Sequence, residues 1–233
     1  MADIQGNLKR THATIDAAQE RAASAGRGGT DVLLCAVTKT RSADEINEAI
    51  ACGVTDIGEN RAQEILDKYD QVGPVNWHMI GHLQTNKVKY IIDKVCLIHS
   101  VDSLRLAEEI DRRAAGCGKV MDVLIQVNAA LEESKFGVTV EETDQLIQDI
   151  LEALPNIRIK GLMCMAPFED EPENARVYFR AVKEIFDRYK ELHQERLDFT
   201  ILSMGMSNDY EVAIEEGSNL VRVGTAIFGA RSY

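Results

Sequence analysis

Short apolar runs alternate with helical periods along almost the whole chain, and this rhythm restricts the fold more tightly than any other feature. The first run, Val32-Leu33-Leu34-Cys35-Ala36-Val37-Thr38-Lys39-Thr40, is apolar without alternation, as expected of a strand buried on both faces of a parallel sheet. Further strands are predicted at Val54 to Gly58, Trp77 to Ile80, Val95 to His99, Val120 to Val127, Ile157 to Met163, Phe199 to Leu202 and Asn219 to Val223. Between them lie helical patterns at Ser42 to Cys52, after Glu59-Asn60-Arg61, at Thr85 to Asp93, Ser103 to Ala115, Val140 to Leu154 and Glu173 to Gln194, with a short helix capped by Ser207 that ends before Gly217. Ser42-Ala43-Asp44-Glu45 reads as a capping box, and Gly53 as the stop of the helix it opens.

Eight strands alternating with helices imply parallel strands joined by right-handed crossovers and closed as an α/β (β/α)8 TIM barrel. An open doubly wound sheet is the competing architecture. Ten residues follow Val223, too few for a full eighth helix, so the helix predicted from Asp3 to Ser24 is expected to cover the seam between strands eight and one. The expectation is a single domain over residues 1–233 with no second domain.

With 45% hydrophobic residues the chain can fill one large core. Its 26 basic and 38 acidic residues give a net charge of -12, which disfavours nucleic acid and anionic membrane as partners. The apolar runs fall far short of the about 20 residues that cross a bilayer, and Met1-Ala2-Asp3-Ile4-Gln5 does not read as a secretory leader. A cytoplasmic protein, monomeric or weakly dimeric, is expected. Cys35, Cys52, Cys96, Cys117 and Cys164 form no C-x-x-C pair and read as reduced core residues.

Alternation places Leu33, Cys35, Val37 and Lys39 on one side of the first strand, so in a closed barrel the Lys39 amine stands at the carboxyl end, where barrel sites are built. Such a lysine is suited to a lowered pKa and to amine chemistry. Leu202-Ser203-Met204-Gly205-Met206-Ser207 and Val221-Arg222-Val223-Gly224-Thr225-Ala226-Ile227-Phe228-Gly229 read as glycine-bearing turns after strands seven and eight, the usual phosphate site of such barrels. Ser203 and Thr225 offer hydroxyls, Gly205 and Gly224 close backbone approach, and Arg222 shares a face with Leu220 and Gly224. A lysine, a phosphate cup and an arginine between them are what pyridoxal 5'-phosphate (PLP) needs.

These residues belong to longer motifs: A-V-T-K-T at Ala36 to Thr40, G-E-N at Gly58 to Asn60 and W-H-M-I-G-H-L-Q-T-N-K at Trp77 to Lys87. Further along are K-F-G at Lys135 to Gly137, G-L-M-C-M at Gly161 to Met165, S-M-G-M-S at Ser203 to Ser207 and V-R-V-G-T-A-I-F-G at Val221 to Gly229. In them the chain resembles the pyridoxal phosphate homeostasis protein family, small relatives of the alanine racemase barrel (the fold type III barrel without its C-terminal β domain). The resemblance implies that Lys39 carries the cofactor as a Schiff base, that Ser203, Gly224 and Thr225 hold its phosphate, that Arg222 lies near the pyridine nitrogen and that Asn60 lines the pocket. An arginine there leaves the ring a weaker electron sink than a carboxylate would. The implied role is intracellular PLP (vitamin B6) homeostasis without catalytic turnover, with PLP-dependent apoenzymes as recipients.

A narrow amino-acid racemase is the alternative; it needs a second base opposite the lysine, for which only Tyr210 falls near a predicted mouth loop, Tyr233 being the terminus. A phosphosugar aldolase using Lys39 is a third reading. Plainer uses of the same residues are a solvated strand-end lysine at 39 and an ion pair of Arg222 with Glu59 or another mouth carboxylate. His78 and His82 are expected to shape the pocket rim, since no third metal ligand is evident. Met163, Met165, Met204 and Met206 read as core or pocket wall, and Glu169-Asp170-Glu171 with Glu173 as a solvated loop and helix start. The Gly224 to Gly229 segment lacks the Lys-Ser/Thr of a P-loop.

Overall fold

In the computed structural model, which describes residues 2–27, 31–132, 136–167, 170–192 and 194–230, all eight runs are strands of one closed parallel barrel. They are β1 (Leu33–Val37), β2 (Asp56–Glu59), β3 (Asn76–Met79), β4 (Leu97–Val101), β5 (Met121–Val127), β6 (Ile157–Cys164), β7 (Leu197–Met206) and β8 (Leu220–Val223). Each pairs with the next in sequence, and β8 returns to β1 through the register Leu33↔Leu220 to Ala36↔Val223. The open sheet is thereby excluded.

The helices are α1 (Ile4–Ser24), α2 (Ala43–Ala51), α3 (Ala62–Lys68), α4 (Val88–Ile91), α5 (Leu104–Gly116), α6 (Val140–Ala153), α7 (Arg176–Tyr189), α8 (Tyr210–Glu215) and α9 (Thr225–Phe228). Both halves of the Ser42 capping box form: the side chain accepts from Glu45 N–H, and Glu45 reaches back to Ser42 N–H at 2.9 Å. As expected, α1 lies across the seam. It packs on α8, α9 and α2, buries Ile4, Leu8, Ile15 and Ala18, and donates from Asn7 to the Ile227 carbonyl at 2.7 Å.

Apolar side chains fall into two sets because every strand is covered on both faces. The larger lies between barrel and helices; the smaller, Cys35, Ile80, Leu97, Leu124, Met163 and Leu220, fills the barrel interior. Gly58 faces that interior set: a Cβ there would stand 2.9 Å from both Cys35 Sγ and Ile80 Cδ1. No helix among the described residues is long and apolar enough to cross a membrane.

Two elements depart from expectation. Strand β7 does not stop at Leu202 but runs to Met206, so Ser203-Met204-Gly205-Met206 is strand, not turn. The long helix expected from Glu173 to Gln194 is a 3-10 turn over Pro172–Ala175 followed by α7, which ends at Tyr189. The cysteines also divide. All five are thiols, with Cys35 and Cys164 buried; Cys52, Cys96 and Cys117 are exposed, two of them as C-caps of α2 and α5.

Candidate functional site

Lys39 lies just past β1, half-buried, and the backbone before it is clamped. Thr38 continues the ladder through its N–H to the Gly58 carbonyl at 3.0 Å, and its fully buried hydroxyl donates to Glu59 Oε1 at 2.7 Å. Lys68, from the end of α3, donates to both the Thr38 carbonyl (3.0 Å) and Glu59 Oε1 (2.9 Å). Immediately after, Thr40 takes φ 64° while its N–H donates to Glu64 at 2.8 Å, turning the chain away. Cys35 and Val37 pack in the interior set, so the two-residue period carries Lys39 to the same face at the mouth. Asn60 stands two residues beyond Gly58, half-buried, with Gly81 packed on its backbone so closely that a Cβ at 81 would be 2.3 Å from its carbonyl oxygen.

Arg222 enters the interior from β8 and is 3% exposed. Its Nη1 donates to the Ser203 carbonyl (2.8 Å) and hydroxyl (2.5 Å), and its Nη2 to the Cys164 carbonyl (2.9 Å). The ion pair with Glu59 is not formed. Glu59 turns outward to Lys68, and burial raises its carboxyl pKa against the opposing pull of Lys68 and Thr38. Extension of β7 explains the Ser203 position: on a strand rather than a turn it points inward, fully buried, between Arg222 and His99 Nδ1 (3.1 Å).

Behind Ser203 runs a line of polar groups that sequence reasoning missed. His99 Nε2 meets His78 Nδ1 at 2.9 Å, and His78 Nε2 meets Asp56 Oδ1 at 2.9 Å. Burial lowers the His78 pKa, but hydrogen bonds with Asp56 and Cys96 overcome it and raise it to about 9. Burial, then the positive charges of His78 and Arg222, push His99 well below the usual histidine range. The signal was present in the two-residue period: Asp56, His78 and His99 each lie two positions from an interior residue, Gly58, Ile80 and Leu97.

The phosphate-loop residues come together only in part. Gly224 N–H donates to Ser207 Oγ at 3.2 Å, joining the end of β7 to the start of α9, where Thr225 is the first residue. Gly224 is closely packed, since a Cβ would lie 3.2 Å from Val37 Cβ and O across the seam. Gly205 acts elsewhere: at φ +91° its missing Cβ faces α8, 2.7 Å from Tyr210 Cα and Ala213 Cβ. Ser207 does not cap α8; Asp209 holds that position, and its carboxylate accepts from Met206 N–H at 2.6 Å.

Tyr210 is withdrawn from the mouth, buried where α8 meets α1 and paired with Thr14, its phenol pKa raised by burial. His82 does sit at the rim, its ring stacked on Phe136 with centroids 3.6 Å apart, whereas His78 lies inside the barrel. No group of three or more metal-ligating side chains occurs among the described residues. Lys135, Glu169 and Tyr233 lie outside the described residues.

Comparison with known proteins matches residues 7–232 to the family model of the alanine racemase N-terminal domain. A pyridoxal phosphate homeostasis protein of Aquifex aeolicus is 44% identical over 97% of this chain and 98% of its own. A solved structure of an unknown protein from Bifidobacterium adolescentis superposes with a TM-score of 0.89 at 37% identity, covering 98% of this chain and 97% of that one. PipY of Synechococcus elongatus, solved with PLP bound, is 33% identical with a TM-score of 0.74, covering 91% of this chain and 100% of that one. With both the family model and a 44% identical relative matched over nearly the full length, the chain belongs to the pyridoxal phosphate homeostasis protein family.

Proposed function

We propose that this protein binds PLP at the carboxyl end of the barrel, holds it covalently through the Lys39 amine as a Schiff base, and buffers or passes it to PLP-dependent apoenzymes without turning over a substrate of its own. The observation that carries the reading is Arg222. It is a buried cation whose three hydrogen bonds go to neutral oxygens, placed below the mouth that Lys39 enters from the neighbouring strand. The retained positive charge favours an anionic, ring-bearing ligand.

When bound, the cofactor supplies an aldehyde that condenses with an amine and a pyridine ring that accepts electron density. Lys39 provides the amine. Gly224, Thr225 and the first N–H groups of α9, with the Ser207 hydroxyl beside them, are assigned to the phosphate, and Asn60 to the pocket wall. Gly205 and Ser203 support this set from behind, Gly205 by admitting α8 and Ser203 by holding Arg222. Arg222 donates and does not accept, so it leaves a ring nitrogen facing it unprotonated and disfavours carbanion chemistry. Tyr210 is not available as a second base, which weighs against the racemase reading.

Titrating the protein with PLP is expected to give a long-wavelength absorbance band that disappears in Lys39→Ala; a band that survives the substitution overturns the lysine assignment. Loaded protein is expected to reactivate a PLP-dependent apoenzyme and to leave the α-hydrogens of amino acids unexchanged in deuterium oxide. Rapid exchange with inversion would establish the racemase instead.

A further inference from the structure

Five polar side chains cross the barrel interior in one line: Asp56 on β2, His78 on β3, His99 on β4, Ser203 on β7 and Arg222 on β8, all buried. The separations are 2.9 Å from Asp56 to His78, 2.9 Å from His78 to His99, 3.1 Å from His99 to Ser203 and 2.5 Å from Ser203 to Arg222. A buried network of this length is costly unless every member is satisfied, and here each link has a partner on both sides or ends on further bonds. Asp56 also accepts from Asn76 (3.1 Å) and Thr55 (2.6 Å).

The ends of the line restrict how its protons can be arranged. Arg222 only donates, and ionised Asp56 only accepts. Two arrangements satisfy both. In the first, His78 carries both ring protons, donating to Asp56 and to His99 Nε2, so that neutral His99 donates from Nδ1 to Ser203. In the second, His78 keeps only its Nε2 proton, His99 donates from Nε2 to His78, and Ser203 donates to His99 Nδ1. The two differ at Ser203. In the first its oxygen receives both His99 and Arg222, and the line carries one net positive charge from Asp56, His78 and Arg222.

We propose that Asp56, His78, His99 and Ser203 form a hydrogen-bond chain that orients the Arg222 guanidinium and sets the charge it presents to the ring of bound PLP, making them positioning residues that act through Arg222. The ligand in this statement rests on the function proposed above; the chain itself rests on its own geometry.

The groups facing each member favour the first arrangement at neutral pH. His78 faces Asp56 from β2, His99 from β4 and Cys96 just before it, and its pKa is raised to about 9. His99 faces the charges of His78 and Arg222, which with burial keep it neutral. Arg222 faces Cys164, Cys35 and Asp209. Raising the pH through about 9 is expected to remove the His78 proton and reverse the line.

Imidazole nitrogen-15 NMR of the full chain without PLP tests the arrangement directly. His99 is expected as the neutral Nδ1–H tautomer and His78 as doubly protonated at pH 7, both converting near pH 9; an Nε2–H tautomer of His99 at pH 7 overturns the first arrangement, and a His99 ring whose two nitrogens show no hydrogen bond overturns the chain. In PLP-loaded protein, His99→Phe and Ser203→Ala are expected to keep the absorbance band but move its pH midpoint by about half a unit or more. PLP dissociation should quicken about tenfold, the effect of losing one buried bond to a charged group. His99→Gln, which retains a donor and an acceptor, should recover part of the shift. Spectra and dissociation of His99→Phe and Ser203→Ala that superimpose on wild type overturn the positioning role. Should His99→Phe fail to fold, Ser203→Ala and the NMR measurement decide. A wild type that forms no lysine-dependent band overturns the proposed function, and the NMR of the free protein still judges the chain.

Discussion

At the residue scale, the position of Lys39 depends on three neighbours that never reach the mouth. Thr38, Glu59 and Lys68 close a buried triangle under α3, with Glu59 fully buried and its Oε2 unpartnered. A carboxylate in that setting depends on its cation. Lys68→Met is therefore expected to cost about 3 kcal/mol in urea denaturation, with Lys68→Met/Glu59→Gln recovering much of the loss because the stranded charge is gone. Since Lys68 also holds the Thr38 carbonyl, the single variant should bind PLP more weakly as well. Lys39 was legible in the sequence because it interrupts an apolar strand at its end. The triangle was not: Glu59 and Lys68 are nine residues apart, and only the handover from β2 to α3 brings their heads together.

At the element scale, β7 decides how the site is built. Its ten residues carry Ser203 into the interior and leave Ser207, one residue past the strand, to meet Gly224. Composition hid this extension, because Ser203-Met204-Gly205-Met206 has the small and glycine-bearing character of a turn. Gly205 serves helix packing, at a positive φ that L-residues seldom adopt and against the backbone of α8. Gly205→Ala combines backbone strain with overpacking and is expected to destabilise the fold by about 3 kcal/mol or more, read as a fall in thermal midpoint. Helix α1 was easier to anticipate, since its apolar period is continuous.

At the scale of the whole molecule, charges tie three outer helices, α1, α7 and α8, together. Arg21 and Arg27 near the end of α1 and Arg176 and Arg180 on α7 converge on Glu211, Glu215 and Glu216 of α8 and its C-cap. Burial raises the Glu216 pKa, but hydrogen bonds from Arg180, Arg176 and Arg27 overcome it and lower it to about 2. Its contribution is present above its ordinary value of 4.5 and is lost as pH falls toward about 2. His78 has the opposite sign: raised from 6.5 to about 9, it stabilises fully below 6.5 and loses that contribution as pH rises through about 9. A series of urea midpoints should thus fall on both sides, and the gap between wild type and His78→Asn should narrow as pH rises from 6.5 through 9. A gap independent of pH over that range would contradict the buried charged pair with Asp56.

Local pattern alone determined the strand count, their parallel order, the helix ahead of β1 and the place of Lys39 just past a strand end, because hydrophobic period and strand-end position are properties of neighbouring residues. Only closure of the barrel decided which inward-facing polar groups meet. His78 and His99 come from adjacent strands, but His99 meets Ser203 across 104 residues, and Ser203 meets Arg222 only because β7 runs four residues beyond Leu202. Their pairing follows from tilt and register around the closed sheet, quantities that no stretch of sequence contains.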